Sequence, residues 1–137
     1  MTSWSQGYEL EPQEYAIRRV DLILYAGAAG DFNPIHWSDR IAASVGLPGV
    51  IAHGMYTMAL AGRAVTRWVG STEAIREFAV RFTKPVVVPD SEEGTVLRVS
   101  GVVSEIRDDG TARIDITATN AGQKVMGAAR AFVHPPT

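Results

Sequence analysis

Residues 53–70, HGMYTMALAGRAVTRWVG, decide the fold. The stretch lacks proline and has helical length. It is apolar nearly all round, interrupted mainly by Arg63 and Arg67. Such a helix needs burial on most of its sides. A chain of 137 residues has few ways to provide that. One is to wrap a curved antiparallel sheet around the helix.

The second half of the chain supplies such a sheet. In REFAVRFTKPVVVP (76–89), Phe78, Val80 and Phe82 alternate with Ala79, Arg81 and Thr83, the period of a half-buried strand. TVLRVSGVVSEI (95–106) favours a strand through its β-branched residues. Asp109-Gly110 is a hairpin signal. TARIDITATN (111–120) then sets Ala112, Ile114, Ile116 and Ala118 against Arg113, Asp115, Thr117 and Thr119. Asn120 to Gln123 reads as a turn, and KVMGAARAFV (124–133) as the last strand. Strands joined by short turns pair antiparallel.

Ahead of the central helix the chain is rich in turns. A short strand is expected near Glu14 to Arg18 and a short helix over Val20 to Ala28, with Leu22, Ile23, Tyr25 and Ala26 as its apolar side. Neither Arg18 nor Arg19 is a good cap for that helix. SDRIAASVG (38–46) reads as a second short helix, capped by Ser38 and ended at Gly46. The expected class is α+β: a hot-dog fold, with an antiparallel sheet wrapped around a central apolar helix, in a single domain over 1–137.

Composition narrows the function. Apolar residues make up 46% and charged residues 20%, as in ordinary globular proteins, and the formal net charge is -2. There is no basic run, so neither nucleic acid nor an anionic membrane is the expected partner. No cysteine is present, which removes disulfides, thiolate nucleophiles and Cys-ligated zinc. No apolar stretch reaches 18 residues, and MTSWSQGYELEP does not look like a signal peptide. The expected location is the cytoplasm.

Two places can carry chemistry. In GDFNPIHW (30–37), Pro34 fixes its own φ and restricts Asn33, which makes a rigid turn. Such a turn can hold Asp31 and His36 toward one small volume. A carboxylate and an imidazole there suit the handling of a water or a hydroxyl. The same residues also suit an ordinary surface turn. The second place is His53-Gly54, at the start of the apolar helix. Unsatisfied N–H groups and the positive dipole end gather there. Glycine admits a ligand close to the backbone, and a carbonyl placed there would meet an oxyanion-type donor. Equally, Gly54 could ease a tight entry to the helix while His53 caps or packs. Asp31, His36 and His53 match no standard zinc spacing, so no metal is expected. The sequence also lacks a phosphate-binding glycine loop and a nucleophilic serine elbow.

YAGAAGDFNPIHWSDRIA (25–42) resembles the signature of the MaoC-like, (R)-specific enoyl-thioester hydratases and dehydratases. GLPGVIAHGMYTM (46–58) and VRFTKPVVVP (80–89) are similar to the family's second and third blocks. The likeness runs from about Gly7 to Phe132, and favours the acid–base reading of Asp31 and His36. The blocks GDFNPIHW, IAHGMYTM, TRWVG and VRFT look most like the catalytic β-subunit type of the actinobacterial two-subunit (3R)-hydroxyacyl-carrier-protein dehydratases.

The resemblance implies a hydro-lyase of trans-2-enoyl and (3R)-hydroxyacyl thioesters. The carrier would be coenzyme A or acyl carrier protein, as in fatty-acid or related acyl metabolism, and no cofactor is implied. Asp31 and His36 would hold the water and move the proton. The Gly54 N–H would bind the thioester oxygen. Asn33, Pro34 and His53 would support the loop, while Trp37, Met55, Tyr56 and Met58 would line the acyl pocket or belong to the core. Assembly is implied as well, as a homodimer or as a heterodimer with a sister hot-dog subunit. Two other readings stand beside this one. A hot-dog acyl thioesterase would want a carboxylate on the central helix, yet no Asp or Glu lies between Arg40 and Glu73. A non-catalytic specificity or scaffold subunit would tend to lack the Asp31/His36 pair.

Overall fold

The computed structural model describes residues 3–137. The elements run β1 (Glu9–Ile17), α1 (Arg19–Ala29), α2 (Asp39–Ser44), α3 (Gly54–Val69), β2 (Ile75–Phe82), β3 (Thr95–Ile106), β4 (Ala112–Asn120), β5 (Gln123–Lys124) and β6 (Met126–Val133). The sheet is antiparallel in the order β1-β3-β4-β6-β2, with β5 paired to β4 beside that path. The central helix α3 packs against β1, β2 and β3.

The strand patterns work as physical chemistry requires. In β4 Ala112, Ile114, Ile116 and Ala118 are buried, so one face of the strand meets the core. The Asp109-Gly110 turn forms, and Asp109 Oδ1 accepts from both the N–H and the hydroxyl of Thr111. Gly101 of β3 is required by close packing. A Cβ there would lie 2.9 Å from the Ile114 side chain and from the Trp68 ring of α3.

Three expectations need correction. The first strand is longer than its alternation suggested, because a register shift between Leu10 and Gln13, around Pro12, hides the period. In β2 a shift between Ala79 and Arg81 breaks the alternation. Phe78 and Val80 stay half-buried, while Phe82 emerges exposed and lies against Gly54. The last strand is interrupted at Val125, which leaves the β5 fragment before β6. As expected, α3 is covered on most of its sides, and it is open along one. Thr57, Leu60, Ala61, Ala64, Val65 and Val69 are buried, but Met55, Ala59, Arg63 and Arg67 form an exposed row at four-residue spacing.

The helices behave similarly. Arg18 is the residue that precedes α1, and Asp21 makes up for the poor cap by accepting the Arg18 N–H at 2.8 Å. Leu22 and Ala26 of α1 are buried, while Ile23 faces out. Ser38 caps α2 by accepting the Ile41 N–H at 3.2 Å.

Candidate active site

The polar loop follows α1. Asp31 Oδ1 accepts the Asn33 N–H at 3.2 Å, and Asn33 Oδ1 accepts the Ile35 N–H at 3.2 Å. Pro34 opens a 3-10 turn over Pro34–His36, closed by the His36 N–H bonding to the Asn33 carbonyl at 3.0 Å. Successive Asx-type bonds and a proline make this loop stiff.

Residues 50–52 anchor it. Val88 N–H bonds to Val50 O at 2.9 Å and Ala52 N–H to Val86 O at 2.8 Å, which ties this segment to 86–88. Ile51 then holds the loop twice. Its N–H donates to Ile35 O at 3.2 Å, and its carbonyl lies 2.7 Å from His36 Nδ1. Asp39 clamps the same segment by accepting the Val50 N–H at 3.0 Å and binding Arg19 at 2.9 Å. The Val50 N–H first, and the Arg19 guanidinium second, hold the Asp39 carboxyl below the usual carboxylate range.

These bonds set the state of His36. A carbonyl can only accept, so Nδ1 carries the hydrogen, and neutral His36 has a bare lone pair on Nε2. That nitrogen lies 4.0 Å from Asp31 Oδ2. The gap is too long for a direct hydrogen bond but suits one oxygen about 2.8 Å from each group. A water placed there would donate one hydrogen to each acceptor and keep a lone pair free for attack. His36 is buried, while the Asp31 side chain is half exposed.

His53 lies behind the pair as the residue preceding α3. It is 2% exposed. Its Nε2 is 3.2 Å from the Asp31 carbonyl oxygen, and its ring stacks on His36 with centroids 3.8 Å apart and planes 24° apart. Tyr25 packs on it at 4.7 Å. Burial pushes the His53 pKa down, and nearby His36 adds to that; the Asp31 carbonyl and charge oppose it.

Gly54 starts α3, so its N–H and that of Met55 have no acceptor within the helix. The Phe82 ring lies 3.3 Å from where a Gly54 Cβ would be. A cavity of about 340 Å³ opens beside this N-terminus, lined among others by His36, Ile51, Gly54, Phe82, Thr83 and Lys84.

The structure thus brings Asp31, Asn33, Pro34, His36, His53 and Gly54 together. Trp37, Met55, Tyr56 and Met58 do not line this cavity. Trp37 is exposed, with Nε1 bonded to the Phe32 carbonyl at 3.0 Å. Met55 is also exposed, Tyr56 packs on Tyr25 at 5.2 Å, and Met58 is half-buried. Sequence reading missed Ile51, Tyr25, Phe82 and Lys84. Ile51 acts through its backbone, which side-chain identity does not reveal. The Lys84-Pro85 step after an apolar strand was a usable sign that the chain turns there into a loop.

Ligand atoms of Asp31, His36 and His53 all lie within 4.8 Å of one another. Imidazole lone pairs lie in the ring plane, so two stacked rings hold theirs in separate, nearly parallel planes rather than aimed together at one ion. The arrangement suits proton handling better than metal coordination.

A sheet curled about one helix, with the Asp31–His36 loop set against that helix's first turn, is the arrangement of a hot-dog protein. The chain belongs to the MaoC-like domain family, whose model matches residues 4–123. It is 45% identical over 67 residues to the 3-hydroxyacyl-thioester dehydratase X of Mycobacterium tuberculosis, covering 47% of this chain and 22% of that protein. A solved MaoC-like dehydratase superposes with TM-score 0.92 at 38% identity, over 96% of this chain and 41% of the other. An R-hydratase from Pseudomonas aeruginosa superposes with TM-score 0.82 at 27% identity, over 98% and 81%. The chain spans only 4% of the fission-yeast fatty acid synthase β subunit, to which it is 40% identical over 84 residues covering 58% of the chain.

Proposed function

We propose that this protein adds water to trans-2-enoyl thioesters and removes it from 3-hydroxyacyl thioesters. The observation that carries this reading is the 4.0 Å gap between Asp31 Oδ2 and His36 Nε2, beside the open N–H of Gly54. In hydration, a water in the gap gives up a proton to the pair as its oxygen bonds to C3. The π electrons move through C2 onto the thioester oxygen, where the Gly54 N–H meets the developing charge. The pair then returns the proton to C2, so water is added with no redox change. Dehydration reverses these steps. Removing one donor from such a charge site costs about 3 kcal/mol of barrier.

Family membership and the likeness to an R-hydratase and a 3-hydroxyacyl-thioester dehydratase support this reading. Either a coenzyme A or an acyl-carrier-protein thioester satisfies the chemistry. A second hot-dog subunit, identical or sister, and a cytoplasmic location belong to the same proposal. No carboxylate lies on α3, which weighs against the thioesterase reading. The test is crotonyl-CoA with two readouts in parallel, enoyl absorbance and free thiol. Loss of absorbance without thiol release supports the hydratase; thiol release supports the thioesterase.

A further inference from the structure

His53 supports the pair without lining the cavity, and one of its ring nitrogens is bare. Its Nε2 faces the Asp31 carbonyl, which can only accept, so Nε2 carries the hydrogen. Nδ1 is then an unprotonated acceptor. It is buried and has no partner among the described residues. Leaving such a group unsatisfied costs about 1–3 kcal/mol. An apolar ring would fill the space without that cost, so an imidazole here has to be explained by its other edge and its face.

We propose that His53 is a positioning residue for the Asp31–His36 pair. Its Nε2–H pins the backbone of Asp31, and its ring face sets the plane of His36. The 4.0 Å gap then stays open to a single oxygen. The two stacked imidazoles are opposite tautomers, Nδ1–H in His36 and Nε2–H in His53. Tyr25 closes the stack. The ring has to be neutral for this task. A cation 3.8 Å from His36 would oppose the positive charge that His36 gains when it takes a proton from water. Burial holds His53 in that neutral form. The geometric part stands on the structure; its effect on turnover rests on the hydratase reading above.

The test uses the full chain with His53→Phe, which keeps the ring face and loses the donor, and His53→Gln, which keeps a donor and loses the face. Each is expected to lower kcat on the order of 10- to 100-fold, the scale of a misplaced reacting group. KM is expected to stay within about threefold, because substrate binding is not what is lost. In His53→Phe the Asn33, Ile35 and His36 amides should exchange hydrogen faster while β4 amides do not change. Nitrogen NMR of the wild type should show the two opposite tautomers. The proposal is overturned if kcat stays within about twofold in both variants, if exchange accelerates across the whole sheet, or if both rings share one tautomer. A wild type inactive on enoyl thioesters would sink the hydratase reading instead, and exchange and tautomers would then decide the proposal alone. If His53→Phe does not fold, His53→Gln and the wild-type tautomers decide it.

Discussion

The Asp31 side chain is half exposed and His36 is buried, yet one oxygen between them would complete both. Asp31→Asn and His36→Ala should each cut enoyl-thioester turnover by about 100-fold or more, the range a general acid–base group contributes. Circular dichroism should show both variants folded. Gly54→Ala places a methyl group 3.3 Å from the Phe82 ring. Shifting that ring should narrow the cavity and raise KM for longer acyl chains, which a chain-length series would read. His53 also sets a pH limit. Its pKa in the folded protein is below the ordinary 6.5, so just below that pH the unfolded chain binds more protons. Its contribution to stability is full above 6.5 and is lost as pH falls through that value toward the lowered one. Asp39 and Asp109, also lowered, lose theirs only from about 3.8 downward. Denaturation midpoints of wild type and His53→Gln should therefore converge as pH drops from 7 to 5, with the acidic groups not yet involved.

The elements were legible where one periodicity ran unbroken. β4 shows strict alternation, and its apolar residues are buried as the sequence requires. The α3 stretch was read as a helix, and it is one, yet its exposed row was not foreseen. Met55 and Ala59 look as apolar as their neighbours, so only Arg63 and Arg67 marked that side. β1 and β2 were read less well because bulges change which residues share a face, and a bulge leaves little trace in residue type. The same holds at the site. Asp31 and His36 stood out through the Asn-Pro turn between them, whereas the Ile51 carbonyl that fixes the His36 tautomer is a backbone group any residue supplies. A prediction at this scale concerns the packing of α3 on β3. Gly101→Ala should destabilise the protein by about 1–3 kcal/mol, the usual cost of overpacking. Its methyl would meet Ile114 and Trp68, away from the site, so thermal unfolding should shift while KM does not.

Over the whole molecule, exposed large apolar side chains run from Val20 to Ile106, and three of them fall on α1. Val20, Ile23 and Leu24 of α1 are 51%, 55% and 67% exposed, and Phe32 and Met55 are also exposed. Val20, Ile23 and Leu24 share one helical face, the outward one. Apolar groups of this kind on a protein surface mark interaction sites. Covering by a second hot-dog subunit, the assembly proposed above, would bury the face. Sedimentation should find a dimer, and Leu24→Glu should shift it toward monomer; a monomeric wild type would remove that part of the account.

The proposed hydration requires Asp31 and His36 to act as one unit on one oxygen. It is tested most directly by a double-mutant cycle on the hydration of crotonyl-CoA, followed by loss of enoyl absorbance. Groups that act as a unit are strongly non-additive. Asp31→Asn combined with His36→Ala should be no slower than the slower single variant. Fully additive losses, or a single variant that turns over at the wild-type rate, would contradict it.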